Sequence, residues 1–289
     1  MKLKPIVKDY IWGGDRLPRE FGIGKGRVAE AWMCSFIKGD ESSVGGLPVS
    51  KAFPRENWGS ACRAFKEFPV LIKLIDAHDN LSVQVHPTNE YAACHGLSCG
   101  KTEMWYVVDA AKDAYIYLGF KRAVTEKECR EAIATGKLTE LLRKVPVKKG
   151  ESYFVPAGTV HAIGKGCLMA EVQQSDDCTF RVFDYNRQGD DGKPRELHIE
   201  QALAVLNFSE YASPVFTGCL AACPAFTVQA VEEDEDENPF SYTSLLIVDG
   251  EGTLNGERVK KGESFLLAAG EPYELKGNLR AIKTTTMGR

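Results

Sequence analysis

Hydrophobic residues along this chain recur mostly with a period of two. The segments FPVLIKLIDA (Phe68–Ala77), LSVQVHP (Leu81–Pro87), EMWYVVDA (Glu103–Ala110), DAYIYLGF (Asp113–Phe120) and ESYFVPAG (Glu151–Gly158) are β-branched and aromatic. Several alternate apolar with polar positions, as half-buried strands do. Residues 1 to about 68 are Gly- and Trp-rich, and their short apolar runs between Gly and Pro read as strands and turns. Thr125–Val145 has a different rhythm. Thr125 with Glu128 three residues on is a capping-box pattern, and Gly136 splits two short helical patterns. It reads as a helical insertion, at about 121–145, in a β protein. A second helical pattern covers Glu196–Phe208 (ELHIEQALAVLNF), and residues 216–289 again read as strands. The acidic run Glu232–Glu237 reads as a solvated loop, since like charges repel and resist burial.

An internal repeat organises these elements. KKGESYFVPAGTVHAI (Lys148–Ile163) aligns without gaps on KKGESFLLAAGEPYEL (Lys260–Leu275), an offset of 112 residues (148 to 260). Upstream, EMWYVVDA matches TSLLIVDG (Thr243–Gly250) in pattern, with an offset of 140 (103 to 243). The first copy therefore carries extra residues between these blocks, enough for the helical insertion. Two copies of one antiparallel β unit give a mainly β fold, with a catalytic domain over 1–215 and a degenerate copy over 216–289.

The copies differ where chemistry is possible. Glycines persist at 150/262 and 158/270, but Pro156 becomes Ala268, His161 becomes Tyr273 and Glu103 becomes Thr243. Turn and core positions are kept in both copies, whereas metal-capable side chains occur only in the first. Gln84, His86, Glu103 and His161 are the candidate ligands. Alternation in LSVQVHP sets Gln84 and His86 on one face of a strand. Two His and a carboxylate, with an amide oxygen as a fourth donor, suit Zn²⁺ or a similar divalent ion and leave a position open for substrate. A lone β-core His is more often merely hydrogen-bonded, but two in matching slots of a repeat are harder to explain that way. Cys94, His95 and Cys99 lack a second pair at finger spacing and predict no structural zinc.

Charge and composition narrow the partners. The 289 residues, 31.9 kDa, carry 36 Lys+Arg against 40 Asp+Glu, net −4 with pI about 5.8. That balance lacks the basic surplus a phosphate backbone requires, so nucleic acid is not an expected partner. The longest apolar runs, such as Phe68–Ile72 and Cys219–Phe226, fall far short of the roughly 20 residues that cross a bilayer. No membrane association is expected. The N-terminal residues hold no continuous apolar stretch of the export-signal kind. Nine scattered cysteines without a CxxC pair then fit reduced thiols in the cytoplasm.

The turn with His161 resembles the second signature of the cupin superfamily of β-barrels. Together, QVHP (Gln84–Pro87), GKTEMWYV (Gly100–Val107), VPAGTVHAIGKG (Val155–Gly166) and TFRVFDYNR (Thr179–Arg187) resemble the type I phosphomannose isomerases, short bacterial form. The resemblance extends over most of the chain. It implies two cupin-type (jelly-roll) barrels, the second metal-free, and a zinc-dependent interconversion of D-mannose 6-phosphate and D-fructose 6-phosphate. It also implies that His86, Glu103 and His161 hold one Zn²⁺, with Gln84 as a possible fourth ligand, and that Arg181 is catalytic. Glu30, in AEAWMCSF, matches a Gly-Glu-x-Trp element, and its role is open. Ile163 stands where longer relatives carry a tyrosine.

Aldose–ketose isomerisation moves a proton between C1 and C2 through an enediol, with charge building on the carbonyl oxygen. A metal polarises that carbonyl and a cation such as Arg181 stabilises the oxyanion. Lys101, on the same strand face as Glu103, is the candidate proton shuttle. Lys73 lies in an apolar strand, where it either meets a charged partner such as a substrate phosphate or keeps its head in water at a sheet edge. Arg181 could instead pair with Asp184 or Asp177. A dioxygenase-type cupin and a non-catalytic sugar-binding cupin are the competing readings. The QVHP and TFRVFDY elements count against the first, and retention of Arg181 with every metal candidate counts against the second.

Overall fold

Val70–Ala77 is buried along its whole length because the sheet it belongs to is covered on both faces. In the computed structural model, which describes residues 1–287, this strand is central to a six-stranded antiparallel sheet. The spatial order is Ser152–Val155, Glu103–Ala110, Cys167–Gln174, Val70–Ala77, Glu30–Cys34 and Ile6–Lys8. One face packs Ile75, Trp105, Val107 and Met169 against Ile116, Leu118 and Ile163. The latter belong to a five-stranded sheet ordered Leu142–Pro146, Tyr115–Phe120, His161–Ile163, Val83–Val85 and Phe180–Phe183. The other face packs Ile72, Leu74, Met104 and Ala170 on Phe226, Leu246, Leu266 and Ile282 of a C-terminal sheet. That sheet also folds over a small core of its own, around Leu245, Ile247, Phe265 and Leu275. The chain start stitches the layers together, since Lys2–Leu3 pairs with Ser264–Leu267 while Ile6–Lys8 pairs with Glu30–Cys34.

The exposed side of the five-stranded sheet is covered by the helices Glu126–Ala134 and Ile199–Val205, which bury Cys129, Ile133, Ala202 and Leu203 on Val83, Val85, Ala162 and Val182. Half of the expected capping box forms. The Thr125 hydroxyl accepts from the Glu128 N–H at 3.2 Å, but the Glu128 carboxylate pairs with Arg122. The expectation of a second helix after Gly136 is overturned. A 3-10 turn, Leu138–Glu140, leads into the strand Leu142–Pro146, because the chain there can pair with the open edge of Tyr115–Phe120. Among the described residues, no helix is long and apolar enough to cross a membrane, and all nine cysteines are unpaired.

The repeat seen in the sequence recurs in hydrogen-bond register. Val155 faces Glu103 and Ser152 faces Tyr106; at the offsets above, Leu267 faces Thr243 and Ser264 faces Leu246. The Gly150 N–H donates to the Val107 carbonyl and the Gly262 N–H to that of Ile247, at 2.8 and 2.9 Å. Gly158 donates to the His86 carbonyl and Gly270 to that of Asn238, which places Asn238 where the first copy has His86. Gln84 faces His161 as Asp236 faces Tyr273, and Glu171 faces Trp105 as Lys283 faces Leu245.

These equivalences correct the reading of the acidic run. Asp234–Asp236 is a strand, the counterpart of the one carrying Gln84, and its alternate residues turn inward. Asp234 and Asp236 meet the buried Lys283 ammonium at 2.8 and 2.7 Å, and Asp234 also accepts from the Tyr273 hydroxyl. The second copy thus carries a lysine as its internal cation, which is what makes partial burial of like charges tolerable.

Candidate functional site

Val83 and Val85 are fully buried on the helix side of their sheet, so Gln84 turns toward the six-stranded sheet and reaches His161 on the neighbouring strand. The two histidine-bearing segments are tied by Gly158, at φ +84°. Its N–H donates to the His86 carbonyl, and a Cβ there would lie 2.9 Å from the Val205 carbonyl oxygen. Glu103 opens its strand across the intervening space. His86, Glu103 and His161 are each about 1 % exposed, and their candidate ligand atoms lie within 4.8 Å of one another. The resemblance-based expectation and the geometry converge on these three.

The way their hydrogen bonds are committed specifies what they can bind. His86 Nδ1 bonds the Cys178 carbonyl at 2.9 Å and His161 Nδ1 bonds the Thr159 carbonyl at 2.8 Å. Each ring therefore carries its proton on Nδ1 and turns its Nε2 lone pair toward the carboxylate, 3.2 Å from Glu103 Oε1 and 3.5 Å from Oε2 respectively, with the Lys101 ammonium also 3.2 Å from His86 Nε2. Lys101 lies 3.0 Å from Oε1 but off the hydrogen-bonding direction, and neither Glu103 oxygen accepts a hydrogen bond among the described residues. Buried, unsatisfied acceptors facing two imidazole lone pairs fit a divalent cation. Burial, then Lys101, pushes the His86 imidazole down to about 3, and burial also lowers His161, so both rings are neutral. Burial opposes ionisation of Glu103, but the Lys101 ammonium outweighs it and holds the carboxyl well below its usual range. Two neutral imidazoles and one carboxylate are the protonation states a metal needs. Gln84 sits at the edge of this set. Its amide nitrogen faces His161 Nε2 at 3.4 Å while its oxygen lies toward Ser82, so the amide caps the lone pair instead of offering its oxygen.

A charged row lies beside the triad. Trp32, Lys73, Glu171 and Trp105 are successive cross-strand neighbours on the cavity face. Lys73 is 3.2 Å from Glu171 and 3.7 Å from Glu30, and the indole N–H groups of Trp105 and Trp32 donate to those same carboxylates at 2.8 and 2.7 Å. Of the two expectations for Lys73, the sheet-edge one is corrected, since its strand is interior, and the charged partners that an inward lysine needs are Glu30 and Glu171. Burial disfavours its ammonium, but Glu30 and Glu171 prevail, and Lys73 holds its proton more firmly than an ordinary lysine. The affinity of Glu171 for a proton is raised as well, by burial and by Glu103. Sequence reasoning missed Glu171. The available signal was a lone carboxylate in the apolar strand CLMAEVQQ.

Arg181 pairs with neither Asp184 nor Asp177. Its Nε donates to the Ser82 hydroxyl at 3.3 Å and its Nη1 to the Glu196 carbonyl at 2.8 Å. Arg181, Lys73, Lys101, Glu30, Glu171 and Gln84 all line one cavity of about 250 Å³ with Glu103 and His161. Trp12 and Ile163 complete apolar parts of its wall. The glycines after Trp12 are explained by packing, since a Cβ on Gly14 would lie 2.3 Å from an Asp76 oxygen. Cys94, His95 and Cys99 form no cluster among the described residues. His95 stacks on Tyr91, with ring centroids 3.8 Å apart.

Comparison with known proteins points the same way. A family model for the type I phosphomannose isomerase catalytic domain matches residues 1–116. The mannose-6-phosphate isomerase of Streptococcus mutans is 39% identical over 306 residues, covering 97% of this chain and 96% of that protein. One from Bacillus subtilis is 37% identical, covering 96% of each. The crystal structure of a mannose 6-phosphate isomerase from Bacillus subtilis superposes with a TM-score of 0.88 at 31% identity, over 98% of both chains. A phosphomannose isomerase from Salmonella typhimurium, at 19% identity and a TM-score of 0.76, shares the fold.

Proposed function

The chain belongs to the type I phosphomannose isomerase (mannose-6-phosphate isomerase) family, and from that premise we propose that it interconverts D-mannose 6-phosphate and D-fructose 6-phosphate. The observation that carries this reading is the buried His86–Glu103–His161 set, with both carboxylate oxygens unsatisfied, opening into a cavity lined by cations. His86, Glu103 and His161 would hold one Zn²⁺, and rotation of the Gln84 amide would add a fourth donor. When bound, the metal supplies Lewis-acid polarisation of the sugar carbonyl oxygen.

The chain's own residues supply the rest. Arg181, its Nε and Nη1 edges held by Ser82 and Glu196, is set to stabilise charge developing on the substrate oxygens. Proton transfer between C1 and C2 needs a group that both takes and returns a proton. Lys101 holds that position beside Glu103. Glu171, with its raised proton affinity, is the second candidate, and each lines the cavity. Lys73 keeps its charge and is assigned to binding: with Glu30 it forms a fixed ion-pair wall that orients sugar hydroxyls. Trp12, Trp105 and Ile163 limit water in the cavity.

We further read the two copies as cupin-type barrels, 1–215 bearing the site and 216–289 serving as its metal-free counterpart. Matching strand registers support this reading, as do Asn238, Thr243 and Tyr273 at the positions of His86, Glu103 and His161. Nine free thiols fit a cytoplasmic setting. The test is a coupled assay in which fructose 6-phosphate formation from mannose 6-phosphate is followed with the purified, zinc-loaded protein. Saturable turnover is expected, with unphosphorylated mannose a poor substrate. Saturable binding without turnover would instead indicate a sugar-binding protein.

A further inference from the structure

Cations gather at one rim of the cavity beyond what the triad requires. Arg181 and Arg195 both line it, and Arg187 stands behind them, on the same carboxylate that grips Arg195. That carboxylate, Asp184, is only 6 % exposed. It accepts from Arg195 Nε and Nη2 at 2.7 and 2.6 Å, and from Arg187 Nε and Nη2 at 3.0 and 2.8 Å. Local backbone geometry builds this grip. Tyr185 and Asn186 follow at φ 57° and 54°, a left-handed pair that turns Arg187 back onto Asp184. The Gln188–Pro194 bridge and the Gly189–Lys193 hydrogen bond then return the chain so that Arg195 arrives from the opposite side.

Two guanidiniums share one buried carboxylate, with Asp79 3.8 Å from Arg187, and Arg181 stands nearby on the cavity wall, which Asp177 also lines, with no carboxylate of its own. The strain is visible at Arg181, whose proton affinity is lowered by burial and then by Arg195. Such an arrangement is unfavourable in an empty cavity and favourable around an anion. The bonds already made also leave specific edges open. Asp184 occupies Nε and Nη2 of Arg195, and Ser82 and Glu196 occupy Nε and Nη1 of Arg181. Arg195 Nη1 and Arg181 Nη2 have no hydrogen-bond partner among the described residues. A fixed guanidinium edge with two donors committed elsewhere is a pre-organised phosphate contact, because little side-chain freedom remains to be lost on binding.

We propose that Asp184 is a positioning residue for the phosphate end of the substrate. By gripping Arg195, with Arg187 as the balancing cation, it aims Arg195 Nη1 into the cavity, where that guanidinium selects a dianionic phosphoester over a neutral sugar. The proposal rests on the isomerase reading for its substrate but not for its anion, which inorganic phosphate can report alone.

The test measures inorganic phosphate both as a competitive inhibitor and by direct calorimetric titration of the holoenzyme. In Asp184→Asn, which keeps the shape and removes the charge, phosphate affinity should fall about tenfold or more, and KM for mannose 6-phosphate should rise by a similar factor. The loss should fall on KM rather than kcat, and Asp184→Glu should recover part of it. Arg195→Lys leaves Asp184 paired with Arg187 and carries the same expectation should Asp184→Asn not fold. Unchanged phosphate affinity in the folded variants, or a loss confined to kcat, would overturn the proposal. Phosphate binding that responds to these variants in a protein without isomerase turnover would uphold the clamp and sink the isomerase reading.

Discussion

Glu103→Gln should reduce isomerase activity by about a thousandfold or more while leaving the protein folded. Glu103 is the one anion among the three candidate ligands, and both of its oxygens are buried and unsatisfied. An amide of nearly the same shape removes the charge that draws a divalent ion between two neutral imidazoles. Loss of the metal removes several kcal/mol of transition-state stabilisation, and about 4 kcal/mol corresponds to a thousandfold in rate. The same substitution also leaves the buried Lys101 ammonium, 3.0 Å from the former carboxylate, without that counter-charge, so the metal-stripped protein should lose some stability. Thermal melts then separate the two effects. In the wild type, added zinc should raise Tm by linkage, and in Glu103→Gln that rise should vanish. A variant that keeps the zinc-dependent rise would show that Glu103 is not a ligand.

Lys73→Met should be the most destabilising single change at the site. It leaves Glu30 and Glu171 buried without the cation that lies 3.7 and 3.2 Å from them. Removing one partner of a buried pair costs on the order of 3–5 kcal/mol, or on the order of 10 °C in Tm for a chain of this size. The pH dependence carries a definite sign. Glu171 already binds its proton more tightly in the folded state than its ordinary carboxyl value, and loss of Lys73 strengthens that bias. A folded state that binds more protons than the unfolded one gains relative stability as pH falls. The gap between variant and wild type should therefore narrow from pH 7 toward pH 5, as followed by denaturant unfolding. A gap that is small, or that widens in acid, would mean the carboxylates are solvated and Lys73 is not their counter-ion.

Much of the architecture was legible because two kinds of signal reinforced each other. Period-two alternation located the strands, and the KKGES identity fixed which strands are equivalent, down to registers such as Val155–Glu103 and Leu267–Thr243. The contrast between His161 and Tyr273 at one scaffold position separated ligands from framework. What escaped sequence reasoning depended on partners distant in the chain. Asp234 and Asp236 read as a solvated run because their counter-ion, Lys283, lies 49 and 47 residues away. Lys73 was ambiguous for the same reason, since nothing local announces that Glu30 and Glu171 flank it in register. Leu142–Pro146 followed helical neighbours and became a strand only because an unpaired sheet edge was within reach. Charge density and local periodicity described the chain's own preferences, and cross-strand pairing decided the outcome at these three places.

In the second copy a lysine, Lys283, stands in register where the first has Glu171. Its inward carboxylates, Asp234 and Asp236, are neutralised by that ammonium.

The most direct test of the account is the coupled assay run on metal-stripped protein, then after stepwise addition of zinc, with His161→Ala in parallel. Activity should be absent without metal and reach its maximum at one zinc per chain, and His161→Ala should stay inactive at the same concentrations. Full activity in folded, metal-free protein, or in zinc-treated His161→Ala, would contradict the assignment of this cavity as the catalytic metal centre.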